Sequence, residues 1–258
     1  MTVARPLPEL LEALRSHGLR KGVSAGPMDG PMAPLGAMPT GQPALDEALR
    51  TGGWPRGALA LLDAPPGGGA TTLALGSLAA AQAAGGVVAY LDLAGSLDPA
   101  TAAQLGIGLE WLLVVRPADA VEAVELAAWL ARDGRIDAMV LDLAGAPAAP
   151  RGLDRLARLL ARSGGVTLLL SGAGGRDAAG VRVRLRRRAW LAAGRDLVGQ
   201  RVEAVVERHR WALAGGRADL DLFFAEGRRA DSLLRAAAVP LEERVEEVGQ
   251  PALRVVSA

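Results

Sequence analysis

A glycine-rich turn in the first third of the chain has the composition of a phosphate-binding loop. It reads Ala64-Pro65-Pro66-Gly67-Gly68-Gly69-Ala70-Thr71-Thr72 and separates a short apolar run from a stretch of helix-forming residues. Backbone N–H groups in such a turn, together with the N-terminus of the following helix, attract anions. A hydroxyl at the start of the helix could bind the Mg²⁺ of a nucleotide. The candidate nucleotide-binding residues of the loop are therefore Gly67, Gly68, Gly69, Thr71 and Thr72, with Thr71 as a metal ligand only if a Mg²⁺–nucleotide binds.

This loop lacks the cation of a nucleotide-hydrolysing loop. The full pattern is GxxxxGK[ST], in which the lysine reaches the β- and γ-phosphates. Here Ala64 stands at the first glycine and Ala70 at the lysine, and the loop holds no other Lys or Arg. Since charge neutralisation and positioning supply most of the catalysis of phosphoryl transfer, we expect no efficient ATP hydrolysis. Two interpretations stay open: an inherited strand-to-helix turn with no required cofactor, or weak binding of ATP and Mg²⁺.

A second candidate site is a run of arginines in the C-terminal third. Apolar residues alternate with arginines from Val181, which places Arg182 and Arg184 on one face of a strand. Such a face could meet a nucleic-acid backbone, with Trp190 as a stacking platform for a base of single-stranded DNA. The alternative is a solvated strand face whose arginines pair with Asp and Glu. The nucleic-acid candidates are Arg182, Arg184, Arg186, Arg187 and Arg188.

The composition excludes several classes of chemistry. The 258 residues include no cysteine and two histidines, which excludes disulfides and thiolate nucleophiles and argues against zinc. The formal net charge of +1 creates no global field toward nucleic acid or membranes, so any basic surface must be local. Because no apolar run reaches membrane-spanning length and no leader pattern opens the chain, we expect a cytoplasmic protein without a membrane partner.

Alternating strand and helix patterns must position these residues. Nearly unbroken aliphatic runs predict strands at 58–62, 87–93, 112–115, 138–143 and 166–171. Helices are predicted at 70–84, at 120–132 with Asp119 as the N-cap, and at 151–163. Strands of this kind alternating with helices indicate an α/β fold with a mostly parallel sheet covered on both faces.

The two ends of the chain differ from this central pattern. Alternating polar and apolar residues at 181–188, 201–213 and 218–224 predict antiparallel strands toward the C-terminal side. Residues 6–18 predict a short amphipathic helix, residues 19–39 a Gly- and Pro-rich linker, and residues 231–238 another short helix. We therefore divide the chain into an N-terminal helix and linker (1–38), a core (39–227), and a short helix with a charged tail (228–258).

The order of landmarks from Pro39 to Thr72 resembles the start of the RecA recombinase core. Pro39-Thr40-Gly41, Leu45-Asp46-Glu47-Ala48-Leu49 and Gly52-Gly53-Trp54-Pro55-Arg56-Gly57 follow the family's pattern TG…LD.AL..GG.P.G, ahead of the strand and the loop. The resemblance extends through Leu97-Asp98-Pro99 and Asp142 over about three quarters of the chain. It implies a RecA-type P-loop core in which the glycine-rich loop is the Walker A motif and Asp142 is the Walker B aspartate. The resemblance thus adds Asp142 to the nucleotide-binding candidates, as a metal ligand only if a Mg²⁺–nucleotide binds, although this aspartate could equally cap the turn after its strand. Trp54, within the family's turn, is expected to pack rather than to bind a ligand.

The same resemblance identifies positions where the family's functional residues are missing. Besides Ala70, Ala94 stands where the family carries the glutamate that orients the attacking water, and Thr101 where an aromatic residue stacks on adenine. The family's two DNA-binding loops correspond to residues 144–150 and 171–181, which are short. The resemblance therefore implies a non-catalytic relative and puts strand exchange in doubt.

The segment 51–59 further resembles ImuA-type proteins, RecA-related accessory subunits of the damage-inducible mutagenesis complex. This resemblance implies a role in the SOS response to DNA damage, in error-prone translesion synthesis, through contacts with translesion polymerase subunits or RecA. An ATP-binding recombinase or DNA-dependent ATPase of the RecA family is the main alternative, and an inhibitor of cell division is a weaker one. Self-association through the core and residues 6–18 is a further expectation.

Overall fold

In the part of the chain that the structure describes, nine strands lie in one sheet, and two short strands form a separate ribbon. The structure is a computed structural model that describes residues 35–132, 134–171, 174–193, 195–224 and 237–240. Its strands are β1 (Ala37–Met38), β2 (Trp54–Pro55), β3 (Leu59–Asp63), β4 (Val88–Asp92), β5 (Leu112–Val115), β6 (Ala138–Asp142), β7 (Val166–Leu170), β8 (Val181–Ala193), β9 (Asp196–His209), β10 (Arg217–Phe223) and β11 (Ala237–Pro240). Its α-helices are α1 (Pro43–Leu49), α2 (Ala70–Ala83), α3 (Pro99–Gln104), α4 (Ala120–Arg132) and α5 (Pro150–Ser163).

The sheet is parallel on one side and antiparallel on the other. Its order is β10-β9-β8-β3-β7-β6-β4-β5, with β11 pairing with β8. All neighbours from β8 through β3 to β5 are parallel, whereas β9, β10 and β11 pair antiparallel. This arrangement confirms the predicted fold class.

Two apolar clusters cover the two faces of the sheet. Because alternate residues of a strand point to opposite faces, Tyr90 belongs to one cluster and Leu91 to the other. The first cluster packs under α1, α2 and α3, and the second under α4 and α5. Strands buried on both faces have no wet side, which explains their unbroken aliphatic runs.

Most predicted elements lie within one or two residues of the observed ones. Asp119 caps α4 as predicted, since its Oδ1 accepts hydrogen bonds from the N–H groups of Val121 at 2.8 Å and Glu122 at 2.9 Å. The prediction of a strand at 201–213 was displaced, because β9 begins at Asp196 as the return strand of a hairpin with β8. No helix among the described residues is long and apolar enough to cross a membrane.

The ribbon of β1 and β2 corrects the predicted linker. Ala37 and Met38 pair with Pro55 and Trp54, and Met38 is buried, so the structured part of the chain begins before residue 39. Trp54 is fully buried, and its Nε1 donates to the Ser77 Oγ on α2 at 3.0 Å, which confirms its packing role. The predicted helix at 6–18 lies outside the described residues.

The C-terminal prediction was wrong where it can be checked. Ala237 and Ala238, assigned to a helix at 231–238, belong instead to β11, while residues 231–236 lie outside the described residues. β8 pairs with β3 only as far as Arg184, so its remaining length has a free edge on that side. β11 pairs with that edge from Ala189 to Ala192. Local helix propensity was therefore overridden by pairing with a distant strand.

Candidate nucleotide-binding site

The glycine-rich loop leads from the end of β3 into α2. Gly67 and Gly69 adopt left-handed backbone angles, with φ of 69° and 91°, and the Gly68 N–H donates to the Pro65 carbonyl at 2.8 Å. Gly69 is also tightly enclosed, because a Cβ there would lie 2.5 Å from Leu222 Cδ1. No side chain caps the first turn of α2, so N–H groups of that turn remain available to an anion or water.

One cavity brings all the predicted nucleotide-binding residues together. It has a volume of about 500 Å³ and is lined by the loop, Thr71, Thr72 and Asp142. Gln200 on β9 and Phe224 after β10 also line it, and neither was predicted from the sequence. Neither residue belongs to a sequence motif. The only sequence signal is that Gln200 places a polar amide among the apolar positions of a strand.

The cavity holds no fixed positive charge in the part that the structure describes. Asp142 is the one charged residue among the described lining residues, and no Lys or Arg contributes. Arg176 and Arg184 instead contact Asp63, the last residue of β3, with nitrogen–oxygen distances of 3.1 Å and 3.9 Å. Both arginines therefore have a carboxylate partner at the base of the loop.

Asp142 is held by two hydrogen bonds from the protein. The Tyr90 hydroxyl donates to its Oδ2 at 2.8 Å, and the Ala144 N–H donates to its Oδ1 at 2.9 Å. Burial, reinforced by the charge of Asp142, raises the pKa of Tyr90, which keeps the hydroxyl protonated as a donor. Asp142 therefore organises the turn after β6, the structural alternative considered from the sequence.

Few side chains of the cavity could hold a Mg²⁺–nucleotide. Thr71 offers a hydroxyl and Asp142 a carboxylate whose oxygens each accept one hydrogen bond and keep further lone pairs, but no lysine or arginine lines the described part of the cavity. No group of three or more His, Cys, Asp or Glu that could hold a metal ion occurs among the described residues. What the loop offers is an anion-attracting backbone without a balancing side-chain charge.

The loop after β4 also lacks a catalytic carboxylate. Ala94 is exposed there, and the buried Asp92 accepts hydrogen bonds from the N–H groups of Ser96 at 2.9 Å and Leu97 at 3.0 Å. Asp92 is therefore occupied in shaping the loop. Thr101 donates through Oγ1 to the Asp98 carboxylate at 2.6 Å, and this bond lowers the pKa of Asp98. Thr101 thus belongs to the N-cap of α3.

Gln200 places a buried amide with an unpaired oxygen behind the glycine-rich loop. Its side chain is 3% exposed, and its Oε1 accepts no hydrogen bond from the described residues. A Cβ placed at Gly69 would lie 3.1 Å from its Nε2, so the amide packs directly against the loop. The amide supplies no net charge to the cavity.

The arginine strand divides into paired and unpaired members. Arg182 and Arg184 share one face, as predicted, and both contact Glu207, at 2.9 Å and 2.8 Å. Arg188 pairs with Glu203. The guanidinium of Arg187 lies 4.1 Å from the Trp190 ring centroid, and Arg186 is exposed without an acidic partner among the described residues. The alternation ends here because the register of β8 against β9 shifts between Arg187 and Ala189.

Central strand β3 continues through a glycine-rich turn into a helix, and an aspartate ends the nearby parallel strand β6. These features define a P-loop protein of the RecA type. The RecA N-terminal domain family matches residues 25–153, half of the chain. Protein RecA of Mycobacterium sp. (strain KMS) is 30% identical over 256 residues, covering 84% of this chain and 73% of the relative. Protein RecA of Clavibacter michiganensis subsp. michiganensis (strain NCPPB 382) is 33% identical, covering 76% of this chain and 64% of the relative. The chain belongs to the RecA family.

A solved structure with a similar fold agrees with this assignment. The crystal structure of the RadB recombinase superposes with a TM-score of 0.56 at 20% identity and covers 71% of this chain and 95% of the RadB chain. At this identity the likeness concerns the fold alone.

Proposed function

We propose that this RecA-family protein serves DNA repair as a non-catalytic accessory subunit of error-prone translesion synthesis, of the ImuA type. One observation carries the non-catalytic part: the cavity at the glycine-rich loop contains a carboxylate but no Lys or Arg among its described lining residues. Phosphoryl transfer depends on cations that neutralise the transferred group, so this cavity lacks the main source of catalysis.

Two further positions support the same proposal. Ala94 offers no carboxylate to orient a water molecule, and Thr101 is engaged with Asp98 and presents no ring for a base. Three separate losses of this kind are expected when selection for hydrolysis has ended. Weak binding of ATP or Mg²⁺ through the backbone of the loop is compatible with this role, which requires no cofactor.

The accessory role rests on contacts with other macromolecules. We propose translesion polymerase subunits or RecA as protein partners, with self-association as a further property. On β8, the exposed Arg186 and Arg187, which lies over the Trp190 ring, are the members best suited to single-stranded DNA, because neither forms an ion pair within the described residues. Arg182, Arg184 and Arg188 form ion pairs with glutamates, and each would have to break its ion pair before it could bind a phosphate.

Nucleotide binding and hydrolysis by the purified protein, with and without single-stranded DNA, test the catalytic part of the proposal. We expect no turnover above the buffer blank under either condition. Turnover that DNA stimulates, and that Asp142→Asn abolishes, would instead establish the alternative: an ATP-dependent recombinase or DNA-dependent ATPase.

The partner assignment needs a separate experiment. We expect the protein to form a complex in size-exclusion chromatography with the Y-family polymerase-like subunit encoded in the same genome. An unrelated Y-family polymerase is the control. Absence of a complex at micromolar concentrations, with the protein folded, would reject the ImuA-type role while leaving family membership intact.

A further inference from the structure

Helix α5 presents a row of exposed arginines that the proposed function does not use. Its apolar side buries Leu153, Leu156 and Leu160 against the sheet. Its outer side exposes four arginines, which we call the arginine stripe: Arg151, Arg155, Arg158 and Arg162. Spacings of four, three and four residues place them on one side of the helix. At 1.5 Å per residue the stripe is about 16 Å long.

No ion pair within the described residues neutralises the arginine stripe. None of its four members makes a salt bridge or a side-chain hydrogen bond there. The arginines of β8 behave differently, since three of the five contact glutamates. Asp154 is the only acidic residue of α5, and Glu125 of α4 and Asp177 lie nearby along the cavities that border the helix.

Helix stability does not account for this arrangement. Arg151 and Arg155, like Arg158 and Arg162, are like charges four residues apart, a spacing that destabilises an isolated helix. Arg151 also lies in the first turn, where the helix dipole disfavours a cation. Arg162, in the last turn, is placed favourably, and Asp154 is the only acidic residue of the helix at a favourable spacing from Arg151 and Arg158. An external anion would relieve the repulsion along the stripe.

A second element contributes to the same surface. Arg210, which follows β9, lines a cavity of about 720 Å³ together with Arg155, Arg158 and Arg162. Its guanidinium lies 5.9 Å from the Trp211 ring centroid, a contact that restricts its position. This cavity shares no lining residue with the one at the glycine-rich loop. The two surfaces can therefore be tested independently.

We propose that the arginine stripe, with Arg210, binds the phosphate backbone of DNA. One planar guanidinium group can donate two hydrogen bonds to two oxygens of the same phosphate. Four such groups along about 16 Å of helix can contact several phosphates of one strand together. An acidic protein is the less suitable ligand, because α5 exposes no large apolar side chain to anchor a protein interface. The inference rests on the proposed role in DNA repair but not on the accessory or non-catalytic part.

The test compares DNA binding by two variants with the same reduction in charge. The stripe variant carries Arg155→Gln and Arg158→Gln, and the control carries Arg50→Gln and Arg116→Gln, two exposed arginines outside the stripe. Fluorescence anisotropy with a labelled single-stranded oligonucleotide, and with its duplex, is measured between about 50 and 200 mM salt. We expect the stripe variant to bind roughly tenfold more weakly, with a salt slope smaller by about 1.4 on the single strand. The control should keep the wild-type slope.

Further arms separate the remaining explanations. Arg155→Lys with Arg158→Lys keeps the charge and should restore the slope, and thermal melts should show that all variants are folded. Equal weakening in the stripe variant and the control, or an unchanged slope in the stripe variant, overturns the inference. So does wild-type protein that binds no DNA, or a polyglutamate peptide that binds the stripe while DNA fails to displace it. None of these outcomes bears on the ATP hydrolysis experiment, which tests the proposed function separately.

Discussion

The side chains around the glycine-rich loop decide what the cavity can hold. Asp142 is its one charged group among the described residues, and both carboxylate oxygens already accept hydrogen bonds from Tyr90 and Ala144. A triphosphate would bring further negative charge beside a carboxylate, with only backbone N–H groups to offset it. Repulsion of this kind disfavours the phosphate tail more than the base or ribose.

Restoring the missing lysine alone should not restore activity. We expect Ala70→Lys to show no appreciable ATP hydrolysis, because Ala94 still offers no carboxylate to orient water. Phosphate release with and without single-stranded DNA measures this, with the double variant Ala70→Lys and Ala94→Glu as the comparison. Turnover in the single variant would mean that the rest of the site is intact.

The loop residues were predictable from the sequence because they are contiguous and their pattern has a chemical meaning. Gln200 and Phe224 were not, since they come from distant strands and reach the cavity only through the order of the sheet. The pairing of Arg182 and Arg184 with Glu207 was one of two interpretations, and only the register of β8 against β9 distinguishes them.

At the scale of elements, the strands buried on both faces could be predicted and the edge pairings could not. An aliphatic run between turn residues identifies β6 or β7 locally, whatever its neighbours are. β1 and β11 are short, and each depends on a partner strand far away in the chain, β2 or β8. Local propensity carries no information about such pairing.

The ribbon of β1 and β2 should depend on one glycine. Gly53 has φ of 141°, and a Cβ there would overlap the Met38 carbonyl oxygen. We expect Gly53→Ala to lower the free energy of unfolding by about 2 kcal/mol or more, since both the backbone and the contact are strained. Gly52→Ala is the matched control, because Gly52 also has positive φ, at 77°, but has open space around it. Urea denaturation yielding equal decreases for the two variants would contradict this explanation.

His209, at the end of β9, should make stability depend on pH. Burial lowers the pKa of His209, and its ring is held as an acceptor from the Trp211 N–H at 3.2 Å. At a pH between the two pKa values, His209 therefore binds a proton in the unfolded chain but stays neutral in the folded chain. Stability is complete above the unfolded pKa, about 6.5, and declines as the pH falls below it. Urea midpoints across this range should show the decline in the wild type and a smaller one in His209→Gln; an identical decline would exclude His209 as the source.

At the scale of the whole molecule, positive charge is concentrated on separate surfaces although the net charge is only +1. The β8 arginines lie on the antiparallel side of the sheet and are largely paired with glutamates, whereas the α5 arginines lie on a covering helix and are not. The amino-acid composition does not distinguish paired from unpaired arginines, because it gives only the number of charged residues. A low net charge therefore does not argue against a local nucleic-acid surface.

The β8 surface can be tested apart from the arginine stripe. We expect Arg184→Ala with Arg186→Ala to weaken single-stranded DNA binding and to flatten its salt dependence by about 0.7 for each phosphate that the variant no longer neutralises. Anisotropy titrations at several salt concentrations measure both effects. An unchanged slope would assign these arginines to the ordinary protein surface, with Glu207 as the only partner of Arg184 besides Asp63 in the described part of the chain.

Tyr90 gives the protein a built-in spectroscopic reporter. It is the only tyrosine of the chain. Its hydroxyl donates a hydrogen bond to Asp142, the carboxylate that lines the cavity at the glycine-rich loop. Protein labelled with ¹³C-tyrosine should therefore give a single set of ring signals in NMR, all arising beside Asp142. Adding Mg²⁺, ATP or both and observing those signals would show directly which ligand reaches Asp142, without any assay of turnover.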